Sequence, residues 1–242
     1  MDDQGRRTDE EPRPKDSGRR ATPKKKLRWR PVGPSDVPDP PGRPTPMIKV
    51  ALTGGIATGK SHVLGQLRNR GVPCLDADVL AHGVEAAGTE TTRAIAARFG
   101  DVLTADGAVD RRKLSAVVFA DPAARRDLEA IVHPAVYRAI AAGLRGFELL
   151  GSYPLAVVDV PLLYETGHAG DFDRVIVTTC PPAMQLARLT ARGMPEAEAR
   201  QRLAAQWPNE EKTERADFVI RTEGSFEETN RQVDEVYRAL VP

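Results

Sequence analysis

The stretch Gly54-Gly55-Ile56-Ala57-Thr58-Gly59-Lys60-Ser61 decides how the rest of the chain is read. It matches the phosphate-binding consensus of glycine, four residues, glycine, lysine and serine in full. Glycines let the backbone curl so that successive amides face one anion, and a helix opening at Lys60 adds its positive end at the same point. In this pattern Lys60 reaches the β- and γ-phosphates of a nucleotide such as ATP, and the Ser61 hydroxyl ligates Mg²⁺. A glycine-rich turn without a ligand is the alternative. The apolar run Ile48-Lys-Val-Ala-Leu-Thr53 just before it and a helix just after argue against that.

Outward from the loop, strands alternate with helices. Ile48–Thr53 reads as a buried parallel strand ending in glycines, and a helix is predicted from about Lys60 to Arg70. Val72–Leu75, Leu155–Val158, Val175–Thr178 and Phe218–Ile220 supply four further short apolar runs. Asp121-Pro122 is a helix start, the aspartate accepting from free amides and the proline at the first helical position. Ser225-Phe-Glu-Glu228 is a capping box that opens the last helix. Residues 78–148 carry helical patterns and no clear strand, with His133-Pro134 expected to interrupt the longest of them. The class is α/β with a parallel sheet and a helical insert between its second and third strands.

The charge is unevenly placed. Residues 1–47 carry 12 Lys and Arg against 8 Asp and Glu, and 10 of the chain's 20 prolines. With so few apolar residues, this segment is expected to be a disordered tail. Its cluster from Lys24 to Arg30 can touch nucleic acid or an acidic partner, although a solvated tail is the simpler reading. The whole chain has a net charge of +1, so no global field points to nucleic acid or anionic lipid, and neither is expected as a partner. No run approaches the ~20 apolar residues of a membrane span. Cys74 and Cys180 stand alone in apolar runs, and residues 1–20 lack a signal-peptide core, so a cytoplasmic protein is expected.

Other residues gather around the loop by their place at strand ends. Asp76-Ala-Asp78 closes the second strand, where parallel sheets bind ligands. One carboxylate can help hold Mg²⁺ and the other can accept a proton from a hydroxyl, unless Asp78 merely caps the next helix. Asp159 and Glu165 follow the third strand, where a carboxylate can support the metal through water. Arg188 and Arg192 are four apart and share a helical face, and with Arg200 they suit a lid over 188–208 that neutralises a transferring phosphoryl. A solvated basic face is the common alternative for such spacing. His133 is by default a buried, satisfied histidine, with substrate contact the second reading.

Taken with Leu52–Ser61, Asp76-Ala-Asp78, Phe99-Gly100, Asp106-Gly107, Asp110-Arg111 and Ile131-Val-His-Pro134, the chain resembles the dephospho-CoA kinase family. Val160-Pro-Leu-Leu-Tyr-Glu165, Arg188 with Arg192, Gln206 and Ala216-Asp217 complete the resemblance, which runs from about Met47 to Leu240. It implies a P-loop nucleoside-kinase-like three-layer sandwich with a five-stranded parallel sheet, a CoA-binding insert over about 79–150 and a helical lid. It implies transfer of the ATP γ-phosphate to the ribose 3′-hydroxyl of dephospho-CoA with Mg²⁺, by a monomer or weak homo-oligomer. Asp78 falls on the family's base, Lys60 on its loop lysine and Arg188 on its lid arginine. Gly55, Ala57, Thr58, Gly59, Lys60, Ser61, His62 and Arg192 fall on the nucleotide site, and Ser61 with Asp76 on the metal. Asp78, His133, Leu162 and Glu165 fall on the acceptor site.

Two positions depart from the family pattern. His62 stands where threonine is usual, which removes a hydroxyl from the nucleotide site, and Thr222 stands where asparagine is usual, which puts its contact in doubt. Two rivals remain. A shikimate-type kinase also uses Asp-x-Asp but has no need of so large an insert, and a nucleotide-binding regulatory protein would bind ATP without turnover.

Overall fold

The structure, a computed structural model, describes residues 46–241. Five strands form one parallel sheet: β1 (Ile48–Gly54), β2 (Cys74–Asp76), β3 (Leu155–Asp159), β4 (Arg174–Thr179) and β5 (Phe218–Arg221). Their order is β2-β3-β1-β4-β5, so β1 lies at the centre, with Leu52 in register with Asp159 on one side and Ile176 on the other. The expected five-stranded parallel sheet is therefore present. The tail expected over 1–47 lies outside the described residues except for Pro46 and Met47. Met47 is itself buried in the core.

The strands are apolar on both faces because helices cover both. On one face Val50, Leu52, Leu155, Val157, Ile176 and Ile220 meet α1 (Lys60–Asn69) and α9 (Phe226–Leu240) through Val63, Leu67, Val233 and Leu240. On the other, Ala51, Ala156, Val158 and Val177 meet Ile95, Leu114, Val136, Ile140 and Leu144. These belong to α3 (Glu90–Phe99), α4 (Arg111–Ala120) and α5 (Pro122–Leu150), which with α2 (Ala77–Val84) make up the insert. Each full burial of such an aliphatic side chain stabilises by about 1.5–3 kcal/mol. The three layers follow from the alternation of side chains along β1, β3 and β4.

Both predicted caps form. Asp121 accepts from the Ala123 amide, and Ser225 and Glu228 make the reciprocal capping box. Pro134 does not interrupt the helix: α5 runs 29 residues straight through it. A proline removes one amide from the ladder and crowds the preceding turn, a cost of about 3 kcal/mol. Val132, Ala135, Val136, Ile140 and Leu144 are buried on either side of it, and that shared burial offsets the lost bond.

The stretch 188–208 expected as a lid falls on the end of α6 (Pro182–Ala191) and all of α7 (Glu196–Ala204), and α8 (Asn209–Glu214) follows it. Arg188 lies in the last turn of α6 and Arg192 caps it, with the turn at Gly193 leading into α7. A small apolar cluster of Ala57, Leu189 and Ala199, with Ile56 beside it, seats α6 and α7 on the phosphate-binding loop.

Candidate active site

The loop between β1 and α1 is held from behind by three amide side chains. Gln206 accepts from the Ile56 amide at 2.7 Å, and Asn209 accepts from the Gly55 amide at 3.2 Å. Gln185 donates to the Ile56 carbonyl at 2.6 Å and accepts from Asn209 at 2.9 Å. A Cβ at Gly55 would stand 2.6 Å from Asn209 Oδ1, so glycine is needed there for close approach. Gly59 sits at φ 89°, a left-handed position that turns the chain into α1. Among the described residues, no hydrogen bond takes the amides of Ala57, Gly59, Lys60 or Ser61. Unpartnered amides at the start of a helix form an anion site, with the positive end of α1 behind them.

A cavity of about 850 Å³ opens over these amides. Ala57 to His62 form its floor and Arg188, Arg192 and Phe226 its walls, which gathers the expected nucleotide-site residues at one place. Gly55 is the exception. Its amide is taken by Asn209, so it shapes the loop from behind.

Arg188, in α6, bridges the loop and the residue that follows β5. Its guanidinium donates to the Ala57 carbonyl at 3.1 Å and to the Thr222 carbonyl at 2.6 Å. The Thr222 hydroxyl donates to the Thr58 carbonyl at 2.7 Å and accepts from Arg188 at 3.1 Å. The departure at Thr222 therefore carries a contact of its own. At the other departure, the His62 ring bonds to Asn230 at 2.8 Å and leans on Phe226, with ring centroids 4.7 Å apart.

The carboxylates lie at the ends of β2 and β3. Asp76 caps α2, its Oδ1 accepting from the amides of Asp78 and Val79. The capping duty weighed for Asp78 thus falls to Asp76, and the exposed Asp78 carboxylate stands in the first turn of α2. Asp159 is in register with Asp76 and is buried, with Oδ1 unpartnered. Burial pushes its carboxyl up to about 6, with the charges of Asp76 and Asp78 adding and that of Lys60 opposing. Burial likewise pushes the Lys60 ammonium below the usual lysine range, against the pull of Asp159, Asp78 and Asp76. Lys60 also donates to the Gly54 carbonyl at 3.3 Å.

The orphaned Asp159 oxygen, near enough to Lys60 for their charges to act on each other, is an atom that a hard cation would use. Among the described residues no three His, Cys, Asp or Glu side chains are grouped to hold an ion by themselves. An Mg²⁺ here would therefore take part of its shell from phosphate oxygens and water.

A second cavity, of about 730 Å³, lies on the far side of Ile56 and is lined by Arg125, His133, Leu162, Glu165 and Gln206. Ile56 borders both spaces, so the loop tip is the wall between them. The three expected acceptor residues His133, Leu162 and Glu165 meet here. Asp78 stands apart from the cavity lining, at the carboxylate cluster. Burial holds the His133 imidazole below its ordinary range.

Sequence reasoning missed Gln185, Asn209 and Lys212. The first two look like ordinary helical polar residues, and their distance in sequence from Gly55 hides the contact. Lys212 is fully buried, 2.6 Å from Glu165 across 47 positions of chain, and no local pattern announces it.

A central strand, a loop with free amides, a lysine and serine at its helix, and arginines above it together define a P-loop kinase. Comparison with known proteins narrows this. The family model described as dephospho-CoA kinase matches residues 48–228. A dephospho-CoA kinase of Anaeromyxobacter dehalogenans is 48% identical over 196 residues, which are 80% of this chain and 92% of that protein. A dephospho-CoA kinase domain-containing protein of Danio rerio is 41% identical, over 80% of this chain and 86% of its own length. A Thermus thermophilus protein of known structure superposes with a TM-score of 0.71 at 34% identity, over 81% of this chain and 99% of its own. The chain belongs to the dephospho-CoA kinase family. It is an ATP-dependent phosphotransferase acting on dephospho-CoA.

Proposed function

We propose that ATP occupies the cavity over the Ala57–Ser61 amides and that dephospho-CoA enters the cavity beyond Ile56, against the helices of residues 79–150. The ribose 3′-hydroxyl then meets the γ-phosphate near Lys60, Asp78 and Asp159. The observation that carries this reading is the pair of cavities divided by Ile56, one floored by free amides and the other walled by the insert.

Lys60 and the loop amides bind the phosphates and leave the γ-phosphate facing the β2 and β3 ends. Asp78 orients the acceptor hydroxyl in line and takes its proton at a carboxylate oxygen. Phosphoryl transfer tends to pass through a loose transition state in which that proton leaves late, so a weak base suffices. Arg188 meets charge spreading over the transferring group. Ser61 and Asp76 would hold Mg²⁺, with Asp159 beside them, and the ion would neutralise phosphate charge. The lid of α6 and α7 covers the nucleotide. The two free cysteines suit a reducing cytoplasm, and a monomer or weak homo-oligomer suffices, since both cavities are built from one chain.

The test is an acceptor screen with ATP and Mg²⁺ that sets dephospho-CoA against shikimate, AMP and adenosine. Dephospho-CoA should give the highest kcat/KM. Equal or higher kcat/KM with any of the others would overturn the assignment.

A further inference from the structure

Lys212 is the largest side chain that is completely buried in the described residues. Lysine is almost never fully buried unless paired, and a buried ion pair is no more stabilising than apolar residues of the same volume. Filling space therefore does not account for this residue. Its Nζ stands 2.6 Å from Glu165 Oε1, an ion-pair contact that occupies one N–H, and no further hydrogen-bond partner meets the ammonium among the described residues.

The unmet groups are not scattered. Among the described residues, the buried side-chain polar atoms without a hydrogen-bond partner are Asp159 Oδ1, Tyr164 Oη, Glu165 Oε2 and Lys212 Nζ. Asp159 ends β3, Tyr164 and Glu165 lie in the segment after it, and the fourth is the cation paired with Glu165. Folded proteins satisfy nearly all such groups, and an exception that lines a cavity marks where a ligand or water completes the bonding. Glu165 lines the second cavity with His133, Leu162 and Gln206. Its Oε1 is already fixed twice, by Lys212 and by the Trp207 amide at 3.1 Å. Its Oε2 has nothing.

We propose that Lys212 is a positioning residue for the acceptor, holding the Glu165 carboxylate so that its remaining oxygen accepts from a hydroxyl or amino group of the molecule in the second cavity. The same short helix carries Asn209, which fixes the loop at Gly55, so α8 sets the acceptor wall and the phosphate loop from one base. The ammonium also lies close enough to Lys60 to act against its protonation. This inference rests on the assignment of that cavity to dephospho-CoA.

Initial rates with ATP, Mg²⁺ and dephospho-CoA test it on the full chain as wild type, Lys212→Met, Lys212→Arg, Glu165→Gln and the double variant Glu165→Gln/Lys212→Met. Lys212→Met should raise KM for dephospho-CoA by tenfold or more. KM for ATP should move by less than about threefold. Lys212→Arg should recover most of the loss, because it keeps the charge. The double variant should be no worse than the poorer single one, since each change removes the same contact. It strands no charge, so it serves as the test if Lys212→Met does not fold. An unchanged acceptor KM in a folded variant, an effect confined to kcat or to KM for ATP, or losses that multiply in the double variant would overturn the proposal. A wild type that turns over dephospho-CoA while Lys212→Met keeps its acceptor KM refutes the role of Lys212 alone. A wild type that does not turn over dephospho-CoA refutes the acceptor assignment and the inference with it.

Discussion

Asp76 Oδ1 accepts the backbone amide of Asp78 at 2.9 Å, so the first aspartate of the pair caps α2 and frees the second. Two carboxylates two residues apart thus have different work. One stabilises the end of a helix, while the other stands exposed in its first turn, near enough for its charge to act on Lys60 and Asp159. Substitution separates the two roles.

Asp78→Asn keeps the size of the side chain and one acceptor oxygen but cannot take a proton. It should lower kcat by roughly 10²–10⁴-fold, the usual worth of a positioned acid or base. ATP binding should change little, because Lys60 and the loop amides hold the phosphates. Rates at saturating ATP and dephospho-CoA decide this, and a near-normal kcat would remove Asp78 from the mechanism.

Asp76 offers a comparison between two substitutions. Asp76→Ala removes the cap and should cost about 1 kcal/mol of stability. Asp76→Asn retains an Oδ1 acceptor and should melt close to wild type, yet require more Mg²⁺ for half-maximal rate. Equal melting temperatures for the two variants would show that the capping bonds contribute nothing.

Arg188 joins Ala57 in the loop to Thr222 after β5, and its place over the nucleotide cavity suits a transition-state role. Arg188→Ala should lower kcat by about 10²–10³-fold, as expected for one lost charge-stabilising donor. ATP affinity should weaken much less. If ATP binding collapses while kcat survives, the arginine is only a ground-state anchor.

Asp159 should leave a signature in pH dependence. Its folded-state value of about 6 lies above the ordinary 3.8, so the folded chain holds this proton more tightly than the unfolded chain. Stability from this group is complete below the ordinary value and is lost as pH rises towards 6. Between pH 5 and pH 7 the wild type should lose about 1 kcal/mol that Asp159→Asn does not lose. In melts of nucleotide-free protein the variant should therefore gain on wild type by a few degrees over that range, as ~1 kcal/mol implies for a domain of this size. A gap that stays constant from pH 5 to pH 7 would contradict it.

The sequence by itself determined the class of protein. The glycine spacing from Gly54 to Gly59, with Lys60 and Ser61 after it, admits few structures, because positive φ and close backbone approach are properties of single residues. The alternation of apolar runs with helical patterns yielded the parallel sheet, since periodicity is local. The caps at Asp121 and Ser225 were readable for the same reason. Tertiary structure decided what local rules cannot express. Pro134 ends a helix by rule, yet α5 continues because buried residues on both sides of it pack on one core. Asp78 was the aspartate weighed as the cap, and the backbone instead puts two amides on Asp76 Oδ1. Gln185, Gln206 and Asn209 hold a loop well over a hundred residues away, and Lys212 meets Glu165 only because α8 packs against the sheet at β4. Such contacts depend on where elements pack, and no spacing along the chain encodes them.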